Sequence, residues 1–227
     1  MAGVLELVLA DARTPSGGHA HSGGLEAAID DGLTVAQVQD FIRARIRTVG
    51  RCEAALAAAA AAAATLAELL ELDLEATARM PAEPLRRASR QLGRGLLRTA
   101  CMWWPDDGLL AGYRAASDST PRPVALGAIA RAGGLPPAAA ARLSLYDDAA
   151  TVAAAAVKLA PVDAAVASGW LVSLGAELEA LAGPAPGAEG SAGGGATAGA
   201  RVPSTSTPLL DRRAITHARR DRRLFAS

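Results

Sequence analysis

The sequence has 227 residues, of which 51% are hydrophobic and only 3% aromatic, so alanine, leucine and valine supply most of its apolar content. That composition favours helices over strands, because β-branched and aromatic runs are scarce. The 23 basic and 23 acidic side chains cancel, which excludes a global field that would draw the protein to nucleic acid or to an anionic membrane.

The N-terminal part predicts two short helices separated by a glycine-rich turn. Residues 1–10 are apolar without a basic start, which is typical of a short helix over Val4–Ala10 and not of a secretion signal. Residues 15–26 form the stretch PSGGHAHSGGLE, whose four glycines, two histidines and two serines indicate a shaped turn. A short helix is predicted to follow from Gly23 to Asp31.

A run of strong helix formers follows. Thr34 and Gln37 have the spacing of a capping box, so a helix is predicted to begin there and to break at Gly50. The next helix is predicted over Arg51–Leu74. Its eight consecutive alanines at 57–64 favour a close approach to another helix. The apolar face of the helix after it is marked by Leu85, Ser89, Leu92, Leu96 and Met102.

The second half predicts long, apolar helices. One helix is expected over Val124–Ala132, and Pro136-Pro137 begins the next, since proline suits a first helical turn. Residues 143–181 are apolar throughout except for a break at Pro161, which predicts helices surrounded by other helices. We predict an all-α protein with a single-domain helical bundle over residues 1–182, a Gly/Ala/Pro-rich flexible linker over 183–207 and a basic C-terminal tail over 208–227.

Two groups of residues invite a chemical interpretation. His19 and His21 could bind Ni²⁺ or Zn²⁺ if the turn brings them together, but no third ligand stands nearby in sequence. Ser22 beside a histidine suggests a small hydrolase, although no GxSxG motif is present. Cys52 and Cys101 lack a metal-binding spacing and are interpreted as buried, reduced thiols. A nickel carrier that uses the two histidines remains an alternative.

Cationic residues favour a binding role. Arg90, Arg94 and Arg98 are four apart and share one helix face, which is either a solvated face paired with acids or a docking stripe for an acidic partner. Lys158 lies in an apolar segment and is expected to reach solvent. The arginine-rich C-terminal segment ends in Leu224-Phe225, a pair that resembles an anchor for a protein partner.

Five segments, in the same order, resemble the UreF type of urease accessory protein. The family pattern LLQLADSxLPxGGFxYSxGLE is matched by Asp11, Pro15, Gly17, Gly18, Ser22, Gly24, Leu25 and Glu26. Residues 87–97 read RASRQLGRGLL, close to the family's REASRQLGRxLL; residues 123–127 and 155–161 supply two further matches. The family's C-terminal pattern PxLDIxSMRHExxYxRLFRS is matched by Pro208, Leu210, Asp211, His217, Arg223, Leu224, Phe225 and Ser227.

The resemblance implies an all-helical, cytoplasmic, dimeric protein without catalysis of its own. Such proteins bridge the accessory protein UreD, also called UreH, to the GTPase UreG on apo-urease, and the complex inserts Ni²⁺ without a stably bound cofactor in this subunit. The balanced charge predicts that the protein has no nucleic-acid or membrane partner. The partner-binding residues expected from the motifs and from the cationic residues are Gly17, Gly18, His19, His21, Ser22, Glu26, Arg90, Arg94, Arg98, Lys158, His217, Arg223, Leu224 and Phe225.

The chain also departs from the family pattern at several motif positions. His19 and His21 replace the aromatic pair of GGFxYS, and Lys158 replaces an arginine. Ala226 stands where the family has its penultimate arginine. These differences affect the transfer of individual contacts more than they affect the family assignment.

Overall fold

The computed structural model describes residues 2–11, 13–14, 20–183, 202–205, 207–220 and 224–225. All regular structure within these residues is helical, which confirms the predicted all-α class. The helices are α1 (Ala2–Ala10), α2 (Leu25–Asp30), α3 (Val38–Arg45), α4 (Arg51–Ala62), α5 (Leu66–Ala78), α6 (Glu83–Trp103), α7 (Gly108–Ala116), α8 (Arg122–Ala132), α9 (Pro137–Leu159), α10 (Ala164–Ala182) and α11 (Pro208–Ala218).

Several helix ends lie one or two residues from their predicted positions, and two breaks differ more from the sequence prediction. The continuous helix predicted over Arg51–Leu74 is wrong, because α4 ends at Ala62 and Ala63 is extended, with φ −66° and ψ 131°. Thr65 then opens α5 with a capping box in which Glu68 Oε2 accepts the Thr65 N–H at 2.9 Å. The break predicted at Gly50 is also wrong, since a π-helical turn over Ile46–Gly50 joins α3 to α4.

Helices α4, α8 and α9 pack together at the centre of the protein. A Cβ on Gly127 of α8 would lie 2.6 Å from the Ala60 Cβ of α4 and closer still to the Ala57 carbonyl oxygen. Only glycine on one helix facing small residues on the other allows two backbones to approach so closely. The alanine run therefore serves helix–helix contact, as its composition predicts.

The buried side chains form two cores. The first contains Leu56, Leu72, Leu97, Tyr113 and Ile129. The second is built around α9 and contains Leu25, Ile42, Leu145, Leu174 and Phe225.

A buried carboxylate ties α5 to α7 at the edge of the first core. The Tyr113 hydroxyl donates to Asp73 Oδ1 at 2.5 Å, and the Ser117 hydroxyl donates to Asp73 Oδ2. Burial raises the pKa of Asp73, and the hydrogen bonds from Ser117 and Tyr113 oppose that rise only in part.

Helix α10 lies on the outside of the bundle, so the expectation that other helices surround this segment is wrong. Val166 and Val172 are 53% and 82% exposed. With 19 residues, α10 is long and apolar enough to cross a membrane. A helix of a soluble protein can meet the same two criteria, so length and composition alone are weak evidence for a membrane span. Polar contacts hold it to α3, because Gln39 Nε2 donates to Ser173 Oγ at 2.7 Å and Arg43 pairs with Glu177 at 3.3 Å.

Candidate functional site

The glycine-rich turn seats α2 against α9. Gly23 and Gly24 have φ of 61° and 83°, in the left-handed region that favours glycine. A Cβ on Gly23 would also lie 2.8 Å from Val152 Cγ2. The turn therefore brings α2 close to α9 and places Glu26 in the first turn of α2.

The carboxylate of Glu26 fastens the C-terminal segment to the body of the protein. The backbone N–H groups of Leu224 and Phe225 donate to its Oε1 and Oε2 at 2.6 and 2.9 Å. Hydrogen bonds to an ionised acceptor are stronger than those between neutral groups. The Phe225 side chain is buried in the second core, while Leu224 is 64% exposed.

His217 and Lys158 complete the surroundings of Phe225. The Nε2 atom of His217, a buried residue of α11, lies 3.4 Å from both Glu26 Oε2 and the Phe225 carbonyl oxygen. Lys158 is exposed, as predicted, and its Nζ lies 5.5 Å from the centroid of the Phe225 ring, within cation–π range. Four residues predicted for partner binding, Glu26, Lys158, His217 and Phe225, thus meet one another.

Ion pairs also hold α11 on α2. Arg213 Nε donates to Asp31 Oδ2 at 2.9 Å, and Arg220 pairs with Asp30. Both arginines belong to the basic C-terminal segment that the sequence singles out. Both therefore form ion pairs within the chain. Arg212 and Arg219 of the same segment are exposed.

Residues 202–205, which we call the strap, cross from α5 to α4. Arg79 Nε and Cys52 Sγ both donate to the Pro203 carbonyl oxygen, at 3.0 and 3.1 Å. The Thr205 N–H donates to Cys52 Sγ at 3.4 Å. The buried, reduced thiol predicted at Cys52 is therefore a hydrogen-bonding group that fixes the strap.

A cavity of about 310 Å³ lies beneath the strap and the start of α11. Charged side chains from four elements meet on its wall: Arg45 pairs with Asp148, and Arg122 pairs with Asp147 and, at 3.5 Å, with Glu53. Burial raises the pKa of Glu53, although Arg122 opposes that rise. Two arginines here face three carboxylates, and their ion pairs join α3, α4, α8 and α9 beside the cavity.

The two chemical interpretations of the glycine-rich turn gain no support from the described residues. Ser22 is fully buried, and its Oγ accepts the Glu26 N–H at 3.4 Å, whereas a nucleophile must reach its substrate. His21 is buried at the wall of the cavity and of an adjoining groove of about 610 Å³ beside α9. No group of three histidine, cysteine, aspartate or glutamate side chains among the described residues is placed to hold a metal ion.

The outward face of α6 carries the predicted arginine row, but its members differ. Arg90 is half-buried and pairs with Glu83 at 3.2 Å. Arg94 and Arg98 are exposed, and no carboxylate of the described residues pairs with them. Met102, predicted on the apolar face of this helix, is 76% exposed, so that assignment is wrong.

Four predicted site residues, Gly17, Gly18, His19 and Arg223, lie outside the described residues. The linker predicted over 183–207 also lies outside them except for residue 183, the strap and residue 207. The predictions for these positions stay predictions.

Comparison with known proteins agrees with the resemblance. A family model described as UreF matches residues 33–175. The urease accessory protein UreF of Mycolicibacterium vanbaalenii is 39% identical over 97% of both chains. Those of Mycobacterium bovis BCG Pasteur and Mycobacterium tuberculosis H37Rv are each 36% identical over the same shares.

The chain belongs to the UreF family of urease accessory proteins. It is therefore a urease accessory protein by family. The matched region spans α3 to α10, while the fastening of the C-terminal segment depends on residues outside it.

Sequence reasoning missed the ionic network and the strap. Arg45 and Asp148 are 103 positions apart, and Cys52 and Pro203 are 151 apart. One signal was available: Asp147 and Asp148 interrupt the apolar α9, and buried carboxylates need partners. Nothing in the sequence names those partners.

Proposed function

We propose that this protein is a non-catalytic scaffold that bridges UreD and the GTPase UreG on apo-urease during nickel insertion. Ni²⁺ is the cargo of that complex, and the chain keeps no cofactor of its own. The protein works in the cytoplasm and forms a homodimer. Family membership supports the accessory role, and the resemblance supplies the finer assignment of partners.

The observation that carries the proposal is the hydrogen bonding of Glu26 to Leu224 and Phe225. It joins α2, near one end of the sequence, to the C-terminal segment, and so builds one composite surface from both. Leu209 and Leu224 are 48% and 64% exposed on the C-terminal side of that surface. Exposed apolar side chains beside free arginines suit a protein interface.

The site residues then divide into two roles. Buried members of the set, which are His21, Ser22, Glu26, His217 and Phe225, act by holding the surface in shape. Exposed members, which are Arg94, Arg98, Lys158 and Leu224, are available for contact with a partner. Substitution of a buried member is therefore expected to affect folding and assembly together, whereas substitution of an exposed member affects assembly alone.

Co-purification tests the scaffold. The full chain, tagged, is produced with UreD and UreG from the same organism, and the complexes are sized by light scattering. We expect one complex that contains all three proteins, and its loss when this chain is omitted. A UreD–UreG complex that forms equally well without this chain would contradict the proposal. So would stoichiometric Ni²⁺ binding by the isolated chain in calorimetry, which would favour a carrier.

A further inference from the structure

The outward face of α6 carries a row of arginines with no acidic residue among them. From residue 84 to residue 104 the sequence contains five arginines and no acidic residue. Arg86 and Arg90 form ion pairs with Glu83, with N···O distances of 3.0 and 3.2 Å. Arg94 and Arg98, one turn apart, are exposed and have no carboxylate partner among the described residues.

Helix α7 adds a third arginine to this face. It returns along the last turns of α6, where Cys101 Sγ lies 3.9 Å from the Leu110 carbonyl oxygen. Arg114 lies one turn after Leu110 in α7, and Arg98 lies about one turn before Cys101 in α6. Arg114 is exposed and likewise has no carboxylate partner in the described part of the chain.

The same face ends in a large apolar side chain. Met102 follows Arg98 by one turn and is 76% exposed, while Trp103, 39% exposed, lies on the other side of the helix at its last residue. The Trp103 ring packs edge-on against Trp104, with centroids 5.7 Å apart. Methionine and tryptophan are typical of interface centres, and arginine is enriched with them.

We propose that the face formed by Arg94, Arg98, Arg114 and Met102 docks an acidic amphipathic helix of a partner protein. Carboxylates three or four residues apart on that helix meet Arg94 and Arg98, which lie one turn apart. The end of the partner helix next to Met102 is apolar. This inference rests on the proposed scaffold function, and it assigns α6 to one of the two partners.

Binding of UreG and of UreD, each measured by biolayer interferometry, tests the charge complementarity. The variant R94E/R98E is compared with R94K/R98K, which keeps both charges, and M102S removes apolar area. We expect the glutamate variant to bind one partner at least about tenfold more weakly at low salt, and the lysine variant to stay within about threefold of wild type. Melting temperatures should match, since neither arginine pairs within the described chain.

The lysine variant also identifies the partner segment. Lys158 is the one lysine of the sequence. In R94K/R98K with K158R, the two lysines on α6 are therefore the only side-chain amines. Zero-length carbodiimide crosslinking joins such amines to carboxylates in direct contact. Crosslinks should fall on aspartates or glutamates three or four apart in one helix of the partner.

The outcomes separate the two proposals. If wild type binds a partner and R94E/R98E binds it equally well, the α6 docking face is overturned while the scaffold stands. Crosslinks scattered over several surfaces, or a lysine variant as weak as the glutamate variant, overturn the acidic helix. If wild type binds neither UreG nor UreD, the scaffold function fails, and the docking face fails with it.

Discussion

Glu26 and Phe225 are 199 positions apart in the sequence, yet the Phe225 N–H donates to Glu26 Oε2 at 2.9 Å. This contact joins the first turn of α2 to the C-terminal segment and lets the Phe225 ring enter the second core. A carboxylate that accepts two backbone N–H groups has a geometry that few other side chains can replace.

Replacement of Glu26 should release the C-terminal segment. Glu26→Ala leaves the N–H groups of Leu224 and Phe225 without their acceptors, and we expect it to lower the free energy of unfolding by about 2 kcal/mol. Hydrogen exchange should accelerate at residues 207–220 and 224–225. Asp30→Ala, which removes only a half-exposed ion pair with Arg220, should cost less than about 1 kcal/mol. Equal exchange in wild type and the Glu26 variant would refute the role of this carboxylate.

Alanine substitutions at Leu224 and Phe225 should differ sharply in their effect on the free energy of unfolding. Phe225→Ala removes a buried ring and should lower the free energy of unfolding by about 3 kcal/mol, because a cavity opens in the second core. Leu224→Ala, at a position 64% exposed, should change it by less than about 0.5 kcal/mol. Urea denaturation of the two variants measures both values. Similar costs would mean that Phe225 is not a core residue.

The α4–α8 contact predicts opposite effects of the same substitution at two helical glycines. Gly127→Ala would force its Cβ against Ala57 and Ala60, and we expect a loss of about 2 kcal/mol from overpacking. Gly169→Ala on α10 meets nothing within 4 Å and should stabilise the protein by up to about 1 kcal/mol. Thermal unfolding followed by circular dichroism distinguishes them. A neutral Gly127 variant would contradict the close approach.

Asp73 should make the stability of the protein depend on pH. Its pKa is raised in the folded state, so its contribution to stability is full below the unfolded pKa of about 4 and is lost as pH rises through the higher folded value. Asp73→Asn removes this term, so the stability of the variant relative to wild type should rise over that window. Denaturation with urea from about pH 4 to pH 7 measures the difference. Asp118→Asn, at an exposed position, is the control and should show no such trend.

Local signals predicted the helices well wherever they agreed with one another. Pro136-Pro137 marks the start of α9, and Pro161 falls between α9 and α10. The missed break at residues 63–65 came from alanine propensity, although Thr65 and Glu68 have the signature of a new helix start. Capping chemistry there outweighs the preference of the alanine run.

The candidate site was predictable in its members but not in its arrangement. Glu26, Lys158, His217 and Phe225 were all singled out as partner-binding residues, yet they surround one another. A C-terminal anchor for another protein and one for the chain's own body look alike in sequence, because both need an exposed cation next to an apolar pair. The choice between them depends on contacts across nearly the whole chain, which no local pattern encodes.

The burial of Phe225 has a consequence during synthesis. The second core stays open until residue 225 has emerged from the ribosome, however early the central helices have formed. A chain cut short before the strap would lack Val202, His217 and Phe225, all of them buried in the folded protein. Such a fragment exposes the apolar residues that these side chains cover, so we expect proteases to cut it faster than the full-length chain.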